Sequence, residues 1–198
     1  MGRKSRDAYE DALGRCEVET DVAHIFETEF PVVTGRKVEI VSEGESPDRV
    51  ALIDSIETGV ELTAIKADCA DDILAEVFRL GSRKHESYER RGIFDIRPII
   101  LLGHLDWPAG DVEGPALYDV HEELSRLMPP SDFDKLRFSE VWLIDGDPKY
   151  TSRRDPRAPA DFFCFAPGDK VGFWERERKT QAVLGHHSRF PVLMKAPR

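Results

Sequence analysis

The chain has 198 residues, 40% of them apolar and 33% charged, which is long and apolar enough for one domain with a hydrophobic core and excludes a disordered chain. The net charge is −10, which argues against a protein that coats nucleic acid non-specifically. No apolar run approaches the length of a bilayer span, and the basic start MGRKSRDAYEDALGR is not followed by the apolar stretch of a signal peptide. Three scattered cysteines, Cys16, Cys69 and Cys164, support neither a disulfide framework nor a zinc knuckle, so a reducing, cytoplasmic setting is expected, with no membrane association.

In chain order, helical segments are expected over residues 6–13 and 21–30, with Pro31 breaking the pattern. Residues 37–42 (KVEIVS) alternate apolar and polar and read as a strand. Residues 48–54 (DRVALID) and 59–65 (GVELTAI) read as two strands of a hairpin joined through residues 55–58. A hairpin centred near Glu57 sets Asp48 opposite Ile65. A long helix follows over residues 70–91, with Asp68 as N-cap and Gly92 as its stop.

The continuous apolar run 96–103 (IRPIILLG) reads as a buried central strand, with Pro98 tolerable only near its start. Residues 116–127 read as a helix and 139–144 (SEVWLI) as a further buried strand. Residues 161–165 and 170–174 read as a hairpin about Pro167–Gly168, and the last two dozen residues receive no assignment. This order predicts an α/β fold, a mixed central sheet flanked by helices with a β-rich C-terminal extension. The extension, residues 148–198, is expected to pack on a core domain of residues 1–147.

Charge is uneven along the chain. Residues 148–198 hold eleven Lys/Arg against five Asp/Glu, a net +6, which leaves −16 for the first 147 residues. Lys149, Arg153, Arg154 and Arg157, then Arg176, Arg178 and Lys179, form a stretch able to hold a phosphate backbone. It is equally the solvated basic counterpart of an acidic surface.

The chemistry concentrates in residues 45–65. Asp48 opens one strand and Glu61 lies on the next, two hard oxygen ligands suited to Mg²⁺ or Mn²⁺. Alternation puts Val60, Leu62 and Ala64 on one face and Glu61, Thr63 and Ile65 on the other, so Glu61 shares a partly covered face and needs a partner or a metal. Pro47-Asp48, then a hairpin, then Glu61-Leu62-Thr63, in helix–strand–strand–strand–helix–strand order, resembles the PD-(D/E)XK nuclease superfamily, the restriction-endonuclease-like fold. The resemblance covers about a third of the chain, residues 37–103 and an early helix.

It implies a metal-dependent DNA phosphodiesterase in which Asp48, Glu61 and the Leu62 carbonyl hold Mg²⁺ or Mn²⁺. The chain departs from the pattern at the lysine position, which is Thr63. In some branches of the superfamily that lysine stands on the following helix. There Ile73, Val77, Leu80, Lys84 and Tyr88 lie on one face at helical period. Lys84 is therefore the expected third residue, reaching the carboxylates and orienting the attacking water; a lysine snorkelling at the edge of an apolar face is the commoner use of such a position. Lys66 is discounted, because alternation sends it to the other face.

Two rival readings stand beside the nuclease: an inactive PD-(D/E)XK-like module that binds or assists, and an unrelated α/β binding protein. DNA is the expected partner, through the basic stretch, and the oligomeric state is open, a homodimer included. Other polar groups carry less. Glu45 reads as a loop residue and Asp145-Gly146-Asp147 as a turn without the remaining ligands of a calcium loop. His186-His187 lacks a ligand partner nearby, and His121-Glu122 lacks the second His of a zinc helix.

Overall fold

The computed structural model describes residues 3–66, 69–105, 117–127, 130–145, 160–176 and 186–188, with side chains from Val18 onward except at 118–119, 130–131, 145, 175–176 and 186–188. Its elements run α1 (Arg3–Thr34), β1 (Val38–Glu43), β2 (Arg49–Ile53), β3 (Ile56–Ile65), α2 (Ala70–Arg91), a 3₁₀ turn (Ile93–Asp95), β4 (Ile99–Leu105), α3 (Leu117–Leu127), the one-turn α4 (Pro130–Phe133), β5 (Glu140–Asp145), β6 (Asp161–Ala166) and β7 (Gly172–Arg176). A three-residue strand, β8 (His186–Ser188), pairs with β7.

All strands lie in one mixed sheet in sequence order. β1–β2–β3 is an antiparallel meander, β3, β4 and β5 are parallel neighbours, and β6 and β7 return antiparallel. The β3–β4 pair is bridged by α2, as a parallel connection requires. β6 pairs directly with β5, so strands on either side of residue 147 share one sheet.

Alternation along the strands divides the core into two layers. On one face Val60, Leu62, Ile100, Leu102, Trp142, Ile144 and Phe162 pack under Phe26, Phe30 and Val33 of α1. On the other, Ile65, Ile99, Leu101, Val141, Leu143 and Phe163 pack under Ile73, Val77 and Tyr88 of α2 and Leu124 of α3. No helix among the described residues is long and apolar enough to cross a membrane.

Local departures from the sequence reading have identifiable causes. The two expected N-terminal helices are one, and Pro31 does not end it: α1 runs on to Thr34. Pro31 sits in the last turn, where its missing N–H costs a single bond, and Phe30 and Val33 on either side bury against the sheet. The N-cap of α2 is Cys69, without a side-chain capping bond; the expected cap, Asp68, lies outside the described residues. Gly92 does end α2, in the left-handed conformation with φ 66°. The strand expected from residue 96 starts at Ile99, after the 3₁₀ turn, and Pro98 stays out of the ladder while its carbonyl accepts the Gly59 N–H at 2.9 Å. Lys170 belongs to the turn before β7, where its N–H bonds Pro167 O at 2.9 Å. Ala116, expected to open α3, lies outside the described residues.

The largest correction concerns the β2–β3 hairpin. Its connection is the two-residue turn Asp54–Ser55, both with positive φ (50° and 71°), and Ile53 pairs with Ile56. Two left-handed residues match the right-handed twist of the flanking strands. Asp54 holds the turn through Oδ1, which accepts the Lys37 N–H at 2.9 Å. The register is therefore tighter than a hairpin centred on Glu57 would give.

Candidate functional site

The tighter register places the two acids together. Arg49 pairs with Val60, so the next position outward sets Asp48 opposite Glu61 rather than opposite Ile65. Both then point to the α2 face of the sheet. Asp48 is anchored to β3: its Oδ2 accepts the Leu62 N–H at 2.8 Å. Two glycines make room for this arrangement. A Cβ on Gly59 would stand 2.6 Å from Pro47 Cγ and 2.5 Å from Ile99 Cδ1, so glycine there lets Pro47 settle against β3 just before Asp48. A Cβ on Gly81 would stand 3.2 Å from Leu101 Cδ2, so α2 approaches the sheet closely, one turn before Lys84.

From α2 two side chains reach Glu61. Lys84 Nζ pairs with Oε1 and the Tyr88 hydroxyl donates to Oε2. Glu61 and Tyr88 are buried, whereas the Lys84 side chain keeps 29% of its surface exposed. Lys84 and Tyr88 stand four residues apart on one helix face, so one α-helical turn supplies a donor to each carboxylate oxygen. The sequence reading placed Tyr88 on that face but gave it no role; its spacing from Lys84 was the available signal.

Burial pushes the Glu61 carboxyl above the usual carboxylate range, and the nearby Asp48 charge adds to this; the bonds from Lys84 and Tyr88 oppose it. Burial also pushes the Tyr88 hydroxyl up, helped by the carboxylate it bonds. With both acids ionised, Asp48, Glu61 and Lys84 together carry one unbalanced negative charge.

The donor set suits a hard divalent cation. Pairing of β2 with β3 ends at Arg49 and Val60, so the Leu62 carbonyl lies past the ladder, on the edge where its N–H meets Asp48. Two carboxylates and a carbonyl are three hard oxygen donors, a number that leaves Mg²⁺ or Mn²⁺ room for its waters. No group of three or more His, Cys, Asp or Glu side chains is placed to hold a metal among the described residues.

A second buried carboxylate lies on the opposite face of the sheet. Glu140 opens β5 and receives both of its oxygens' bonds from Arg36 NH1, at 2.7 and 2.8 Å. Lys170 Nζ adds a bond at 2.6 Å and Trp142 Nε1 another at 2.7 Å. Arg36 Nε also bonds Asp54 at 3.1 Å. Although burial works the other way, these partners hold the Glu140 carboxyl below the usual range. The sequence reading missed this cluster, since its members come from four separate segments.

The remaining sequence candidates do not join either cluster. Glu45 is exposed. Lys66 is exposed just past the end of β3. The His121 ring stacks on Phe173 with centroids 4.3 Å apart, and Glu122 pairs with Arg126 at 3.7 Å. Asp145 ends β5, His186 and His187 belong to β8, and Gly146 and Asp147 lie outside the described residues. Arg176 ends β7, while Lys149, Arg153, Arg154, Arg157, Arg178 and Lys179 lie outside the described residues.

Comparison with protein families, characterised proteins and solved structures returns no match for the chain.

Proposed function

We propose that the chain is a metal-dependent DNA phosphodiesterase of the PD-(D/E)XK type, with its centre at Asp48, Glu61 and Lys84. The observation that supports this best is the convergence on one sheet face of Asp48, held to the Leu62 amide, and Lys84, which reaches Glu61 from α2. The α1–β1–β2–β3–α2–β4 order, with α1 and α2 on opposite faces, is the arrangement a restriction-endonuclease-like core requires. Asp48, Glu61 and the Leu62 carbonyl would hold Mg²⁺ or Mn²⁺, which supplies an activated water and stabilises charge on the phosphate. Lys84 takes the role of the lysine absent at Thr63. Its side chain keeps 29% of its surface exposed on a flexible stem, which would let the ammonium swing between Glu61 and the attacking water or the phosphate.

One observation favours an inactive, accessory module instead: each Glu61 oxygen already has a donor, so the carboxylate is satisfied without a cation. The metal reading requires a cation to displace Lys84 from Oε1, which titration with Mn²⁺ tests. The full chain is assayed on linear duplex and single-stranded DNA with Mg²⁺ and with Mn²⁺ at low salt, where the basic C-terminal stretch is least screened. Wild type is expected to cleave. Lys84→Ala is expected to lose about 10²- to 10⁴-fold in rate while retaining Mn²⁺ binding, and Glu61→Ala to lose both. Wild type that binds Mn²⁺ but cleaves neither substrate gives the accessory module; Mn²⁺ affinity equal in wild type and Glu61→Ala removes the metal site.

A further inference from the structure

The two donors on Glu61 differ in freedom. The Lys84 side chain is 29% exposed, and its ammonium rotates on four methylenes. Tyr88 is 1% exposed. Its ring packs against Phe94, 5.6 Å away, and Phe138, 6.4 Å away, which also pack on each other at 5.3 Å. A cation arriving at Asp48 therefore displaces Lys84 from Oε1 far more readily than Tyr88 from Oε2. Glu61 is left with one oxygen to offer.

We infer that Tyr88 is a positioning residue that keeps Glu61 a one-oxygen ligand and so makes the site selective for small octahedral cations, Mg²⁺ or Mn²⁺, over Ca²⁺. The inference rests on the metal-site reading above. Mg²⁺ and Mn²⁺ accept single carboxylate oxygens in near-octahedral sites, whereas Ca²⁺ gains from a bidentate carboxylate and a larger shell. Selectivity is thus set by Tyr88, one helical turn beyond Lys84 on the same face of α2.

The test is calorimetric titration of the full chain with MnCl₂ and with CaCl₂, which reads binding without requiring turnover. Wild type is expected to bind Mn²⁺ at least about tenfold more tightly than Ca²⁺. Tyr88→Phe frees Oε2 and is expected to narrow that ratio about five- to tenfold, mostly through tighter Ca²⁺ binding. Lys84→Met leaves Tyr88 in place and is expected to keep the wild-type ratio. An unchanged ratio in Tyr88→Phe that still binds Mn²⁺ overturns the inference and leaves the metal site standing. A wild type that binds Ca²⁺ as tightly as Mn²⁺ overturns it without any variant. Should Tyr88→Phe fail to fold, Phe138→Leu, which loosens the packing of the Tyr88 ring, is expected to narrow the ratio about twofold, and no change overturns the inference. A wild type that binds neither ion overturns this inference and the metal-site reading together.

Discussion

Glu61 and Glu140 are both buried in the same sheet, on opposite faces, and each bonds a lysine and an aromatic donor. Their environments still push them in opposite directions: the Glu61 carboxyl up, the Glu140 carboxyl down. The difference lies in the next neighbour. Glu61 faces a second acid, Asp48, with one lysine between them. Glu140 faces Arg36 as well as Lys170, and the acid Asp54 is itself paired with Arg36. The Glu140 cluster balances to zero charge and fastens four segments: the α1–β1 connection, the β2–β3 turn, β5 and the turn before β7. The Asp48–Glu61 cluster sets two acids against one lysine. A buried charge without enough partners costs free energy, so the balanced cluster is the one expected to contribute more to folding stability.

Removal of the cation partners is the strongest way to break the comparison. Arg36→Ala deletes the bidentate bond to Glu140, the bond to Asp54 and the contact of its guanidinium with the Phe30 ring at 5.7 Å. It is expected to cost about 3 kcal/mol of folding stability, because it breaks a buried ion pair. Lys84→Ala is expected to cost only about 1 kcal/mol, since Glu61, already pushed toward its protonated form, takes a proton instead. Urea unfolding of both variants measures the contrast, and equal losses would mean that the two clusters are energetically alike.

Neutralising each acid gives a smaller effect of opposite sign. Glu140→Gln is expected to lower stability by about 2 kcal/mol, as it strips a charge that Arg36 and Lys170 both bond. Glu61→Gln relieves a charge held close to Asp48 in a buried site and is expected to be neutral or to raise stability by up to about 1 kcal/mol at neutral pH without metal. Thermal melts in chelator check both, and a Glu61→Gln protein that melts well below Glu140→Gln would reverse the assignment of roles.

The smallest effect is the pH dependence of the Glu140 contribution. Its partners hold the carboxyl below its ordinary value of 4.5 in the folded chain, so its stabilisation is complete above that value and is lost as pH falls through the folded pKa. The stability gap between wild type and Glu140→Gln is therefore expected to hold steady from pH 7 to about 5 and to close toward pH 3. A gap that widens on acidification would show that Arg36 and Lys170 do not hold the charged form.

Much of this was legible in the chain because it depends on local pattern. The helical period of Ile73, Val77, Leu80, Lys84 and Tyr88 predicted a helix over residues 70–91 that is realised with the same bounds, and it set Lys84 on the face that meets the sheet. Alternation over residues 59–65 separated Glu61 from Leu62 and sent them to different layers. The hairpin register was not legible, because it turns on whether Asp54 and Ser55 adopt positive φ, a choice that neither strand pattern encodes. Nor was the passage of α1 through Pro31, where burial of Phe30 and Val33 outweighs a local breaker.

The sequence by itself determined the α/β element order, the two-faced strands and the residue types able to hold a hard cation. Each of these follows from spacing within a single segment, over distances that one helix or strand spans. Only the tertiary structure decided that Asp48 stands across from Glu61, that Tyr88 joins Lys84 on the same carboxylate, and that Arg36, Glu140 and Lys170 meet at all. Arg36 and Glu140 are 104 residues apart in the chain. Contacts at such separations are set by how the strands stack into one sheet and which helix covers each face, and no local period carries that information.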